Sequence, residues 1–194
     1  MELFVQLLAN TLQIGAVYVL FALGLTLIFG VMKIVNFAHG AFFTAAALIV
    51  TSVVPFATVE MGMPLWAGYL LSAVAALVVV LCIGALVYKV GFQHVLKDLN
   101  GSFILSIGLL LILNGVYLAI YGGAPRAVPQ VVPGTVNILG ATLTAQRLAL
   151  VIVAAIVTGG LYLLIERTKL GLALRAVALD QEAAMLQGMP YRRV

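Results

Sequence analysis

Asn36, His39 and Gly40 stand together in the run Asn36-Phe-Ala-His39-Gly40, within a long stretch that carries no charge after Lys33. An amide, an imidazole and a glycine that exposes backbone supply neutral donors and acceptors, the groups that hold a polar solute where water is scarce. Such a set suits binding a polar solute. Ser102, after Gly101, could take His39 or His94 as its base, but these residues lie on separate segments and such pairs arise by chance, so no catalytic residue is assigned. Cys82, His39 and His94 are each alone on a segment, too few for a metal site, and one cysteine excludes an internal disulfide. No Gly-x-x-x-x-Gly-Lys-Ser/Thr phosphate loop occurs, so any nucleotide chemistry belongs to another chain. Gln6, Asn10 and Gln13 share one helical face, and they read with Asn114 as hydrogen bonds between helices. Asn36 and His39 read instead as residues beside a solute path, because their broken, Gly-ended segment can present backbone groups to a ligand.

A second stretch, residues 171–194, does chemistry of another kind. Arg175, Asp180, Glu182, Arg192 and Arg193 punctuate it, while Leu172, Leu174, Val177, Leu179, Met185 and Leu186 keep it amphipathic. Asp180 is a good cap for a short helix, since its carboxylate accepts N–H groups of the first turn. Gly188 can end that helix and Pro190 blocks its continuation. The expectation is about two turns of helix, with small Ala183 and Ala184 on its surface, shaped to seat in a groove of another protein.

These stretches must be positioned by membrane spans. Hydrophobic residues make up 64% of the 194 and charged residues 8%, with mean hydropathy +1.23, where soluble domains carry roughly 25% charge. The expected fold class is an all-α integral membrane protein, a polytopic helical bundle of about five transmembrane segments with a short amphipathic cytoplasmic coupling helix. The spans fall at about 3–32, 34–56, 64–88, 101–121 and 147–165 of one membrane domain, with a loop over 166–194. The first run is long enough to tilt, break or re-enter, and without a basic start it is expected to stay as an anchor. Gly68, Ser72 and Ala76 at four-residue intervals, and Gly101, Gly108, Gly115 and Gly122 at seven, suit close helix contact. Residues 89–100 read as a polar connection. Residues 122–146, rich in proline and glycine, read as an irregular loop at the membrane surface. With five spans, Lys33, Lys89, Lys97, Arg167, Lys169, Arg175, Arg192 and Arg193 share one side, whereas Arg126 and Arg147 take the other. The positive-inside rule makes the first side cytoplasmic and puts the N-terminus outside.

Glu182-Ala183-Ala184 followed by Gly188 resembles the coupling motif of permease subunits in ABC importers. Gly24-Leu-Thr-Leu-Ile-Phe-Gly30, Ile34-Val-Asn36-Phe-Ala-His39-Gly40 and Arg175-Ala-Val-Ala-Leu-Asp180-Gln-Glu182 extend the likeness to the whole chain, which resembles a branched-chain amino acid ABC transporter permease. Ala41 stands where many members of that family carry an acidic residue. The resemblance implies a non-enzymatic subunit in a bacterial or archaeal inner membrane. Its implied partners are a second permease subunit, cytoplasmic ABC ATPases that hold the ATP and magnesium, and an external substrate-binding protein. It also implies that Asp180, Glu182, Ala183, Ala184 and Gly188 meet the ATPase. Members of the family continue with further spans, so the chain resembles a truncated permease or the first part of a split one. Branched-chain amino acids are the implied substrate; urea, amides or another amino acid, or a carrier or channel that needs no ATP, are the alternatives.

Overall fold

A computed structural model describes residues 2–32, 34, 36–95, 98–138 and 141–180. Among them, five helical stretches are long and apolar enough to cross a membrane: Glu2–Gly30, His39–Glu60, Leu65–Val95, Leu99–Tyr121 and Ala145–Arg167. Large apolar side chains such as Leu3, Leu77, Ile104 and Ile156 lie exposed on them, as lipid-facing surfaces require. The protein is thus an all-α polytopic membrane protein with one small hairpin. Its chain divides into two units, Met1–Lys33 with Val132–Val194, and Ile34–Val131.

In the first unit, helix α1 (Glu2–Met32) is unbroken through Gly15, Gly24 and Gly30. Its 31 residues span about 46 Å against a hydrocarbon core of about 30 Å, so tilt or protrusion replaces the alternatives of a break or re-entry. Thr11 and Thr26 donate to the Leu7 and Ala22 carbonyls at 2.8 and 2.7 Å, which keeps their hydroxyls satisfied inside the helix. Strands β1 (Thr135–Ile138) and β2 (Ala141–Thr144) pair antiparallel, from Thr135 opposite Thr144 to Ile138 opposite Ala141. This hairpin occupies part of the region read as irregular. It runs into α6 (Ala145–Arg167), with the Ala145 N–H on the Gly134 carbonyl at 3.0 Å. Arg147 Nη1 donates to Asn10 Oδ1 at 2.7 Å, so the N-terminal parts of α1 and α6 meet. Helix α7 (Lys169–Leu179) follows after a single residue and packs on both.

In the second unit, α2 (His39–Pro55) continues as one π-helical turn, Phe56–Glu60. Pro55 has no N–H to give, and beyond it the ladder shifts by one residue, with Met61 N–H on the Phe56 carbonyl at 3.2 Å. Helix α3 (Leu65–Val87) buries Gly68, Ser72 and Ala76, the small stripe expected from their spacing. A methyl group at Gly68 would lie 3.2 Å from Thr58 Cγ2 and 3.5 Å from Ala57 Cβ, which shows how closely the backbones approach. The helical path runs on through a π turn (Tyr88–Phe92) and the one-turn α4 (Gln93–Val95), so most of the segment expected as a connection is helix. Asp98 then caps α5 (Leu99–Tyr121), its Oδ1 accepting the Asn100 N–H at 3.0 Å. The buried residues of α5 are Ser102 and Ser106, not its glycines: a Cβ at Gly108 or Gly115 would meet nothing within 4 Å. Gly122 ends the helix with φ +72°, a backbone that L-residues rarely adopt. Tyr69 donates to the Pro129 carbonyl at 2.7 Å and Arg126 stacks on the Tyr121 ring at 4.9 Å, which tie down the proline-rich segment.

Candidate functional site

The segment that enters α2 is built as a turn around one buried amide. Asn36 is 9% exposed, and its Oδ1 accepts the Ala38 N–H at 3.0 Å while its carbonyl accepts the His39 N–H at 3.2 Å. This is an Asx-type turn, a side chain standing in for backbone, and it hands the chain to the helix with the Ala38 carbonyl accepting from Ala41 and Phe42. Ile34 and Ala38 are buried beside it. Phe37 points the other way and meets Phe103 of α5 edge-on, centroids 5.1 Å apart at 84°, which anchors the turn sideways. His39 and Gly40 occupy the first turn of α2, half-buried.

The three residues therefore stand together. The Asn36 oxygen is already engaged by backbone, so its part in any path is to position the turn. His39 and Gly40 are left at its rim. The Phe37–Phe103 anchor was not legible beforehand, because an aromatic in an apolar run looks like any lipid-facing residue. Ser102 is 1% exposed, with its Oγ 3.0 Å from both the Val95 and Asp98 carbonyls. Its hydroxyl proton is given to backbone, which is a packing role.

The second candidate stretch begins at an elbow in the first unit. Thr168 Oγ1 donates to the Leu164 carbonyl at 2.6 Å and accepts the Gly171 N–H at 3.0 Å, closing α6 and capping α7 with one hydroxyl. Gly171 is buried against the backbone of α6, where an added Cβ would collide with the Leu164 and Ile165 carbonyls. Arg175 reaches back over the bend to Glu166, Nη1 to Oε2 at 3.0 Å. Val177 is buried, while Leu172 and Leu179 face outward, so α7 is amphipathic. Of the amphipathic stretch expected over 171–194, the part before Asp180 is the helix α7, capped by Thr168; the short helix expected after Asp180 lies outside the described residues. Asp180 is exposed and extended (φ −150°, ψ 107°), the backbone an N-cap residue takes. Glu182, Ala183, Ala184 and Gly188 lie outside the described residues.

Comparison with known proteins gives one consistent family. The profile described as branched-chain amino acid transport system / permease component matches residues 7–194. The high-affinity branched-chain amino acid transport system permease protein BraD of Pseudomonas aeruginosa is 27% identical over 197 residues, covering 96% of this chain and 62% of the relative. The permease protein LivH of the corresponding system in Escherichia coli K12 is 28% identical over 200 residues, 98% of this chain and 64% of the relative. LivH of Salmonella typhimurium is 25% identical over 198 residues, with the same coverage. The chain thus spans somewhat under two thirds of the length of these relatives. No solved structure matches it.

Proposed function

The chain belongs to the family of branched-chain amino acid transport system permease components, and from that membership we propose that it is a membrane subunit of an ATP-driven importer of branched-chain amino acids. The observation that carries the reading is a family match running from residue 7 to 194, through both candidate stretches. The relatives are permease subunits, not enzymes, and a chain without a phosphate loop needs ATPase partners to be driven.

In this reading the basic residues set the topology: α7 and the stretch after Asp180 are cytoplasmic, and the N-terminus and hairpin face outward. Residues 180–188 engage the ATPase through Asp180, Glu182, Ala183, Ala184 and Gly188. The elbow supports that role, since a helix pinned to α6 at Thr168, Gly171 and Arg175 passes a push on to a membrane span instead of absorbing it. Asn36, His39 and Gly40 border the substrate path, the Asx turn holding His39 at the mouth of α2. A second permease subunit and an external binding protein complete the transporter.

The test is uptake of labelled leucine by cells that lack their own branched-chain permeases and express this chain with its transport partners. Isoleucine and valine should compete, and urea and short amides should not. Competition by urea or amides alone would overturn the substrate assignment.

A further inference from the structure

An open-sided cleft of about 180 Å³ lies between α1, the hairpin and α6, lined by Val5, Leu8 and Leu12, by Leu143, and by Leu148 and Val151. A guanidinium stands in this apolar lining. Arg147 comes from the first turn of α6, at the end of a membrane-crossing helix, which is the depth of lipid headgroups. Its Nη1 is fixed by Asn10 Oδ1 at 2.7 Å, and among the described residues no carboxylate pairs with it. Arg175 and Glu166 pair with each other, so among the described residues the charge of Arg147 is open to an anionic ligand.

We propose that this cleft is a lipid site, in which one acyl chain of a phospholipid lies along Leu8, Leu12, Leu148 and Val151 and its phosphate sits on Arg147. The rest of the guanidinium fork is suited to two phosphate oxygens, and holding one N–H on Asn10 removes the freedom that binding would otherwise cost. A free amino acid fits less well. Its carboxylate would find the same fork, but its ammonium would face aliphatic walls that hold no acceptor for it. Occupied, the cleft would hold α1 against α6 by a lipid as well as by the Arg147–Asn10 bond.

The test is native mass spectrometry of the full chain in mild detergent, offered phosphatidylglycerol, oleate or leucine. Wild type should retain one phosphatidylglycerol roughly 10–100-fold better than Arg147→Gln, the loss of charge-assisted hydrogen bonds to one phosphate. Leu12→Trp fills the cleft from an exposed position and leaves Arg147 in place, so it should lose the lipid while the chain keeps its elution profile. Equal retention by wild type and both variants overturns the site. Preference for oleate overturns the phosphate assignment, and displacement of the lipid by leucine overturns the choice of ligand.

Discussion

Replacing Gly171 by alanine probes the elbow at its tightest point. The added methyl group would be driven into the Leu164 and Ile165 carbonyls, and backbone cannot rotate away as a side chain can. Overpacking costs roughly 1–3 kcal/mol, and with backbone as the obstacle the upper part, about 2–3 kcal/mol, applies. Alanine recovers about 1 kcal/mol of helix propensity, which leaves a net loss of about 1–2 kcal/mol. At about 2–4 °C per kcal/mol for a chain of this size, the melting midpoint should fall by about 2–8 °C. Gly159→Ala is the matched control. It sits in the same α6 helix with nothing within 4 Å of its Cβ position, so there only the propensity gain of about 1 kcal/mol remains and the midpoint should rise by about 2–4 °C. Thermal unfolding of the detergent-purified chain, followed by size-exclusion elution, reads both. Shifts of the same sign in the two variants, or no loss for Gly171→Ala, would refute the close packing of α7 on α6.

Asn36→Leu leaves the Ala38 N–H unpaired at a residue with 0% exposure and should cost about 1–3 kcal/mol in a melt, whereas Asn36→Ser should restore part of it through a weaker turn. His39→Ala, in the assembled transporter, should lower leucine uptake while abundance in the membrane stays near normal; loss of the protein itself would make His39 a packing residue. Glu166→Gln removes an ion pair whose side chains are 42% and 43% exposed, so its cost should stay at about 0.2–1 kcal/mol and shrink further in high salt.

The spans were legible because uncharged runs of such length have few other uses. The Gly68, Ser72 and Ala76 stripe was legible too, since small residues one turn apart permit backbones to approach. At Gly108 and Gly115 the spacing leaves an open face, since among the described residues nothing lies within 4 Å of a Cβ there and spacing alone names no partner. Glycines also failed to break α1: in a membrane helix the backbone bonds within itself, and nothing outside rewards opening it. The hairpin was hidden by its brevity, four residues a side between prolines and glycines. Asn10 gave its face but not its partner, since Arg147 lies 137 residues away and periodicity names no partner. At the elbow, Thr168 and Asp180 are both good caps by type. Gly171 beneath α6 and the Arg175–Glu166 bridge start a helix at the first of them, and these are tertiary contacts.

The central claim is that ATP hydrolysis by partner chains drives this chain through the stretch after Asp180. It is tested most directly by leucine uptake into proteoliposomes holding the complete transporter, with ATP or a non-hydrolysable analogue. Wild type, Ala183→Trp and Gly188→Val are compared, and ATPase co-purification is measured on the same samples. The account predicts uptake with ATP alone in wild type, and loss of uptake or of bound ATPase in both variants while the spans still insert. Uptake that proceeds equally without ATP, or that is normal in both variants with the ATPase still bound, would contradict it.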